Sequence, residues 1–138
     1  MSALVLDASA TLAWCFREEQ TERALALLDR VADHGAVVPA LWHLEVANML
    51  LNAERRQRAT QSVIAEILAS LDQLPIDTDG AAARLMRHDV LPLARAQGLT
   101  VYDAAYLELA MRRHLPLATL DADLRRAARA VGVDLIEL

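Results

Sequence analysis

Four acids in this sequence stand where a carboxylate can do more than meet water. Asp7 closes the apolar run ALVLD, Glu45 interrupts PALWHLEVANMLL, Asp103 lies in TVYDAAYLELA, and Asp121 comes just after LPLAT. Taken singly, three of them have a plain structural use. Aspartate is a favoured N-cap, and Asp7 and Asp121 each precede a helical pattern, so a cap suits them as well as a reaction does. Thr100 followed three residues later by Asp103 has the spacing of a capping box, and an acid in the first turn suits the helix dipole. Glu45 is different. It falls in mid-helix among Leu41, Leu44, Val46, Met49 and Leu50, with no arginine within one turn and with Asn48 one turn on. An ionised carboxylate in so apolar a helix is costly unless something pairs with it. A metal or a reacting site explains Glu45 better than a remote structural partner.

Gathered in one pocket, the four would repel each other, which raises their pKa values until a cation joins them. Oxygen ligands without accompanying histidine or cysteine select a hard cation, Mg²⁺ or Mn²⁺. Such an ion keeps open positions for phosphate oxygens. It polarises the phosphate and lowers the pKa of an attacking water, which is the equipment for phosphodiester hydrolysis.

The elements that must carry these acids alternate between short β-like runs and longer helical ones. Strands are expected at ALVLD (3–7), AVVP (36–39), a short extended piece near LPID, LPLAT (115–119) and the terminal VDLIEL. Between them lie a helix through Trp14, a helix over 21–35 stopped by Gly35, and a long helix opened by Pro39. A helix over 60–74 follows, then one from Asp77 to Gln97 with a kink or break at Pro92. The last two run from Thr100 to about Arg113 and over DADLRRAARAVG. Apolar strands separated by helices predict a parallel sheet covered by helices. In such sheets ligands bind beyond the carboxyl ends of the strands, where Asp7, Thr119 and Asp121 stand.

The bulk numbers agree with one compact domain: 138 residues, 55% of them apolar, with no linker or repeat. No apolar run is long enough to span a membrane, and MSALVLDASA lacks the basic flank of a signal peptide. With Cys15 as the one cysteine, a reducing, cytoplasmic setting is expected. The net charge of −5 exerts no global pull on nucleic acid, yet all fourteen basic residues are arginines. They cluster at Arg55, Arg56 and Arg58, at Arg112 and Arg113, and at Arg125, Arg126 and Arg129. Arginine grips phosphate bidentately, although any one cluster is more simply a solvated helix face.

LVLDAS, VPALWHLEVANML, GLTVYDAAYLELA and LPLATLDADL together resemble the PIN-domain ribonucleases, and among them the VapC-type toxins of bacterial toxin–antitoxin pairs. The resemblance covers nearly the whole chain, as a single PIN domain over 1–138. It implies a three-layer α/β fold with a parallel five-stranded sheet of order 3-2-1-4-5, and an Mg²⁺-dependent (or Mn²⁺-dependent) endoribonuclease neutralised by a cognate antitoxin. It also implies RNA as substrate and a homodimer, or a larger assembly of toxin with antitoxin. By the same resemblance Asp7, Glu45, Asp103 and Asp121 form the acidic quartet that holds the metal. Asp123 is the reserve for the fourth acid, and Ser9 and Thr119 are supporting hydroxyls acting through water. The antitoxin of such a toxin lies along an apolar groove.

Other readings fare worse. A phosphorylated receiver domain needs a lysine after its last strand and paired acids after its first, and neither is present. The lack of lysine and of a glycine-rich loop excludes a P-loop NTPase. A non-catalytic PIN-like module that only binds a partner protein is the surviving alternative. His34, His43, His88 and His114 are scattered without zinc-like spacing. Cys15 is expected to be a packed small hydrophobe, and Trp14, Phe16 and Trp42 to lie in the core or in a groove.

Overall fold

In the computed structural model, which describes residues 3–81 and 83–138, strand β1 (Leu4–Leu6) sits at the centre of a parallel sheet. Leu4, Val5 and Leu6 are all fully buried. Successive strand residues point to opposite faces, so both faces of β1 are covered, as the apolar run required. β1 pairs with β2 (Ala36–Val38) through Leu4↔Ala36 and with β4 (Leu117–Ala118) through Val5↔Leu117. On its far side β2 pairs with β3 (Ile76–Thr78), giving the order β3-β2-β1-β4. β3 is an edge strand with Asp77 and Thr78 exposed, and a short polar edge discourages pairing with other chains.

The expected order is therefore present, but with four strands among the described residues where five were expected. VDLIEL lies beside β4 as anticipated, yet it makes only one parallel bridge, Leu117↔Leu135. Leu117 donates its N–H to the Asp134 carbonyl at 2.9 Å and accepts the Ile136 N–H at 3.0 Å.

Among the described residues, seven α-helices connect and cover the strands: α1 (Ala8–Cys15), α2 (Glu22–His34), α3 (Leu41–Arg55), α4 (Gln61–Asp72), α5 (Ala83–Gln97), α6 (Val101–Arg113) and α7 (Ala122–Val131). Five open on the caps that their sequences offer: Asp7, Thr21, Thr60, Thr100 and Asp121 each accept a main-chain N–H in the first turn. Gly35 separates α2 from β2 with a positive φ of 83°, and a Cβ there would come within 3.1 Å of the Pro75 carbonyl. This position needs glycine on both counts.

Two helical expectations change. Asp77 belongs to β3, and the helix after it begins at Ala83. That helix passes through Pro92 without ending. Pro92 and His88 are both exposed, so the carbonyl that loses its N–H partner lies where water can serve it. The second change concerns α3. Its buried residues are Trp42, Val46, Leu50 and Ala53, a single stripe, while Leu44 is 76% and Met49 36% exposed. An apolar sequence overstated the burial of this helix, and Glu45 is half-buried at the margin of the stripe.

Candidate active site

Asp7 is the best-held of the four acids. It is buried, directly follows β1, and its main-chain N–H donates to the Ala118 carbonyl at the end of β4 at 3.1 Å. One carboxylate oxygen, Oδ1, accepts the Ala10 N–H at 2.8 Å, which is the cap of α1, and the Ser9 hydroxyl at 2.7 Å. The other, Oδ2, accepts the Thr119 hydroxyl. Burial pushes the Asp7 carboxyl up from 3.8, the charge of Glu45 adds to this, and the three hydrogen bonds pull against it. The two hydroxyls thus touch Asp7 directly, where mediation by water was expected.

Those hydroxyls reach further. Ser9 Oγ also accepts the Leu120 N–H at 3.0 Å, and Thr119 Oγ1 accepts the Asp121 N–H at 3.0 Å. Asp121 in turn caps α7 by accepting the Leu124 N–H at 2.9 Å. The ends of β1 and β4 are therefore stitched into one unit that carries Asp7 and Asp121. Arg125 donates to the Thr119 carbonyl at 2.9 Å and completes it. Asp123 stands apart, 76% exposed and 3.9 Å from Arg126.

Asp103 enters from the start of α6, where its N–H donates to the Thr100 hydroxyl at 3.1 Å. The main chain serves the cap and leaves the carboxylate for the pocket. Burial first, then the charges of Asp121, Glu45 and Asp7, push the Asp103 carboxyl up to about 6. All four acids thus share one electrostatic neighbourhood at the carboxyl ends of the strands. Glu45 comes from α3 and accepts the Tyr106 hydroxyl at 2.5 Å. Burial, reinforced by Glu45, Asp7 and Asp103, pushes the Tyr106 phenol well above its ordinary value of 10 and keeps it a donor.

Among the described residues, no three of His, Cys, Asp and Glu close into a ready metal cage. The spread still fits Mg²⁺, which is usually held by one or two carboxylates and keeps several waters. The mutual repulsion that raises Asp103 is what a divalent cation would relieve. Asp7, Glu45, Asp103 and Asp121 form an all-oxygen donor set of the right chemistry.

A model of the PIN domain matches residues 4–130. Ribonuclease VapC3 of Pyrobaculum aerophilum is 32% identical over 88% of this chain and 91% of its own length. Ribonuclease VapC3 of Mycobacterium tuberculosis is 31% identical over 94% of this chain and 92% of its own. The chain is a VapC-type member of the PIN-domain family. Solved structures agree on the fold of this PIN domain. PAE2754 from Pyrobaculum aerophilum superposes with a TM-score of 0.73 at 23% identity, covering 98% of this chain and 91% of that one. FitAcB from Neisseria gonorrhoeae gives a TM-score of 0.55 at 19% identity, covering 97% and 96%.

Several side chains of this PIN domain escaped the sequence reading. Tyr106 is one, although its place one turn after Asp103 was a usable signal. A second set is Trp42 and Thr11: the indole N–H donates to the Thr11 hydroxyl at 3.0 Å, and that hydroxyl donates to the Asp7 carbonyl at 2.7 Å. The third is Asp79, which binds Arg112 at 2.6 Å and Arg113 at 2.7 Å. Arg112 also pairs with Glu108 at 2.7 Å, and Arg58 pairs with Glu19 while stacking on Phe16. These arginines, read as a solvated or phosphate-binding surface, are engaged within the fold.

Proposed function

We propose that this protein is an Mg²⁺-dependent (or Mn²⁺-dependent) endoribonuclease toxin, a single PIN domain over 1–138, held inactive by a cognate antitoxin in the cytoplasm. The observation that carries the reading is the placement of Asp7 and Asp121 just after β1 and β4, joined through Thr119, with Asp103 opening α6 and Glu45 bonded to Tyr106 of that helix; the raised Asp103 carboxyl agrees with it. The ribonuclease names of the relatives support the substrate class. Among the described residues no helix is long and apolar enough to cross a membrane.

The four acids would hold the metal, which when bound lowers the pKa of a water and neutralises charge developing on the phosphate. Asp7 is fixed by Ser9, Ala10 and Thr119, so it offers a rigid anchor. Asp103 is half-exposed, with the Thr100 hydroxyl beside its carboxyl, which suits it to orient an attacking water. Arg125, at the rim, offers a positive charge to RNA phosphate.

The antitoxin would lie in a groove of about 670 Å³ walled by Trp14, Phe16, Leu28, Ile67 and Leu71, with Arg58 and Glu66 at its edge. That surface mixes apolar side chains with the polar and charged Arg17, Glu18, Gln20 and Ser70, which suits an amphipathic segment. A homodimer, or a larger assembly with the antitoxin, belongs to the same reading. The spread of the acids leaves one alternative in play, a PIN-like module that binds a partner without cutting RNA.

The deciding experiment is incubation of purified, partner-free protein with total bacterial RNA, with Mg²⁺ and with EDTA, beside Asp103→Ala. Discrete fragments that require the metal and vanish in the variant are expected. No cleavage by folded wild-type protein would favour the binding module, and cleavage surviving in Asp103→Ala would remove Asp103 from the site.

A further inference from the structure

Glu45 differs from its three companions in how it is held. Asp7 and Asp121 each cap a helix with a carboxylate oxygen on a main-chain N–H, and Asp103 lies in the first turn of α6 with its own N–H on the Thr100 hydroxyl. Glu45 projects from the middle of α3 on a longer side chain with three rotatable bonds, and among the described residues no hydrogen bond within α3 orients its carboxylate. Its orientation comes from Tyr106, 61 residues away, whose hydroxyl donates to Oε1.

The tyrosine is well suited to that task. It is 1% exposed, so its ring is clamped in the core, and a clamped ring presents its hydroxyl at one fixed point. It lies one turn after Asp103 on α6, so the same rigid helix sets the positions of Asp103 and of the group that orients Glu45. The bond occupies one oxygen of Glu45, and a metal would take the other.

The backbone of α3 has a separate anchor. Trp42, three residues before Glu45, is tied through Thr11 to the Asp7 carbonyl. Loss of the Tyr106 hydroxyl would therefore leave α3 in place and release only the Glu45 carboxylate. Partners of metal-ligating groups that fix ligand geometry in this way typically matter 10–100-fold to metal affinity.

We propose that Tyr106 is a positioning residue that presents the Glu45 carboxylate to the divalent cation, so that α6 supplies both one acid and the orientation of another. This inference rests on the reading of the four acids as a metal centre. The alternative is a core tyrosine whose hydroxyl happens to be satisfied by the nearest carboxylate.

Titration of the full-length protein with Mn²⁺ by calorimetry separates the two, comparing wild type, Tyr106→Phe, Glu45→Gln and the double variant, with thermal unfolding in EDTA as a check on folding. Tyr106→Phe is expected to melt close to wild type in EDTA and to bind Mn²⁺ about tenfold more weakly. The double variant is expected to bind no more weakly than Glu45→Gln alone, because Tyr106 acts through Glu45. Unchanged Mn²⁺ affinity in Tyr106→Phe overturns the positioning role while leaving the metal centre standing. So does a further tenfold loss in the double variant. No Mn²⁺ uptake by wild type overturns the metal centre itself, and this inference with it.

Discussion

Thr119 donates its hydroxyl to the carboxylate of Asp7 across 112 positions of sequence, and the same oxygen accepts the Asp121 N–H. A single fully buried hydroxyl thus joins two of the proposed metal-binding acids. Substituting Thr119→Val keeps the shape and removes both bonds. One carboxylate oxygen loses its donor and one main-chain N–H loses its acceptor, at a cost of roughly 1–3 kcal/mol for each group left buried without a partner. Urea unfolding is expected to report a loss of at least about 1–3 kcal/mol, the cost of the one fully buried group, and Mg²⁺-dependent RNA cleavage to fall as Asp7 and Asp121 lose their common brace. Stability equal to wild type would mean that water replaces the hydroxyl at no cost.

Asp7 itself divides into a structural and a chemical part. Asparagine still caps α1 and still accepts from Ser9, because Oδ1 carries both of those bonds. It removes the buried charge, which is costly without a cation. Its amide nitrogen cannot accept the Thr119 hydroxyl, so Asp7→Asn is expected to stay within about 1–3 kcal/mol of wild type in EDTA while losing cleavage altogether. Asp7→Ala also loses the cap, worth about 1 kcal/mol, and strands the Ser9 and Thr119 hydroxyls. Denaturation of the two variants side by side should place alanine below asparagine.

The pH dependence of the metal-free protein follows from three carboxyls. Asp103 titrates near 6 in the folded protein against an ordinary value of 3.8, and Asp7 is raised in the same direction. Between those values the folded state binds a proton that the unfolded chain does not, so stability falls as pH rises toward and through 6. Asp79 runs the other way. Its pairing with Arg112 and then Arg113 holds it below 3.8, so the stability it contributes is present above that value and is lost as pH drops through its folded pKa. Thermal scans in EDTA are expected to show a maximum between these arms. Millimolar Mg²⁺ should lift the neutral side most, because the cation competes with the proton for the same oxygens. A neutral-side melting temperature indifferent to Mg²⁺ would speak against a shared cation.

How far the sequence alone reached depends on how far apart the partners lie. Caps and strand ends are local, so Asp7, Thr100 and Asp121 could be placed from a few neighbouring residues, and the structure puts each at a helix start. Convergence of the acids was legible because parallel α/β topology brings strand ends together. The bond from Tyr106 to Glu45 spans 61 residues and joins two helices, and no periodicity encodes that meeting. The same holds for Asp79 with Arg112 and Arg113. The burial of α3 was misjudged because Leu44 and Met49 continue an apolar run around a helix that is covered on one side only. The family resemblance, not the pattern of apolar residues, carried the strand order, and even so it overcounted at VDLIEL.

The Asp79 clamp gives the last expectation. Its carboxylate is 7% exposed, while the two arginines that grip it are 38% and 42% exposed. Removing one partner of a fully buried pair costs 3–5 kcal/mol because the other charge is left stranded. Here the arginines can return to water when Asp79 is lost, so the effect must be smaller. It should still exceed the 0–1 kcal/mol of an ordinary surface pair, since two arginines meet one nearly buried acid. Asp79→Asn is thus expected to cost about 1–3 kcal/mol in urea unfolding, with the difference from wild type shrinking in high salt. The clamp joins the segment after β3 to the last turn of α6, at the opposite end of that helix from Asp103. Cleavage per folded molecule should therefore be unchanged. A variant that kept its stability but lost cleavage would instead make the far end of α6 part of the catalytic geometry.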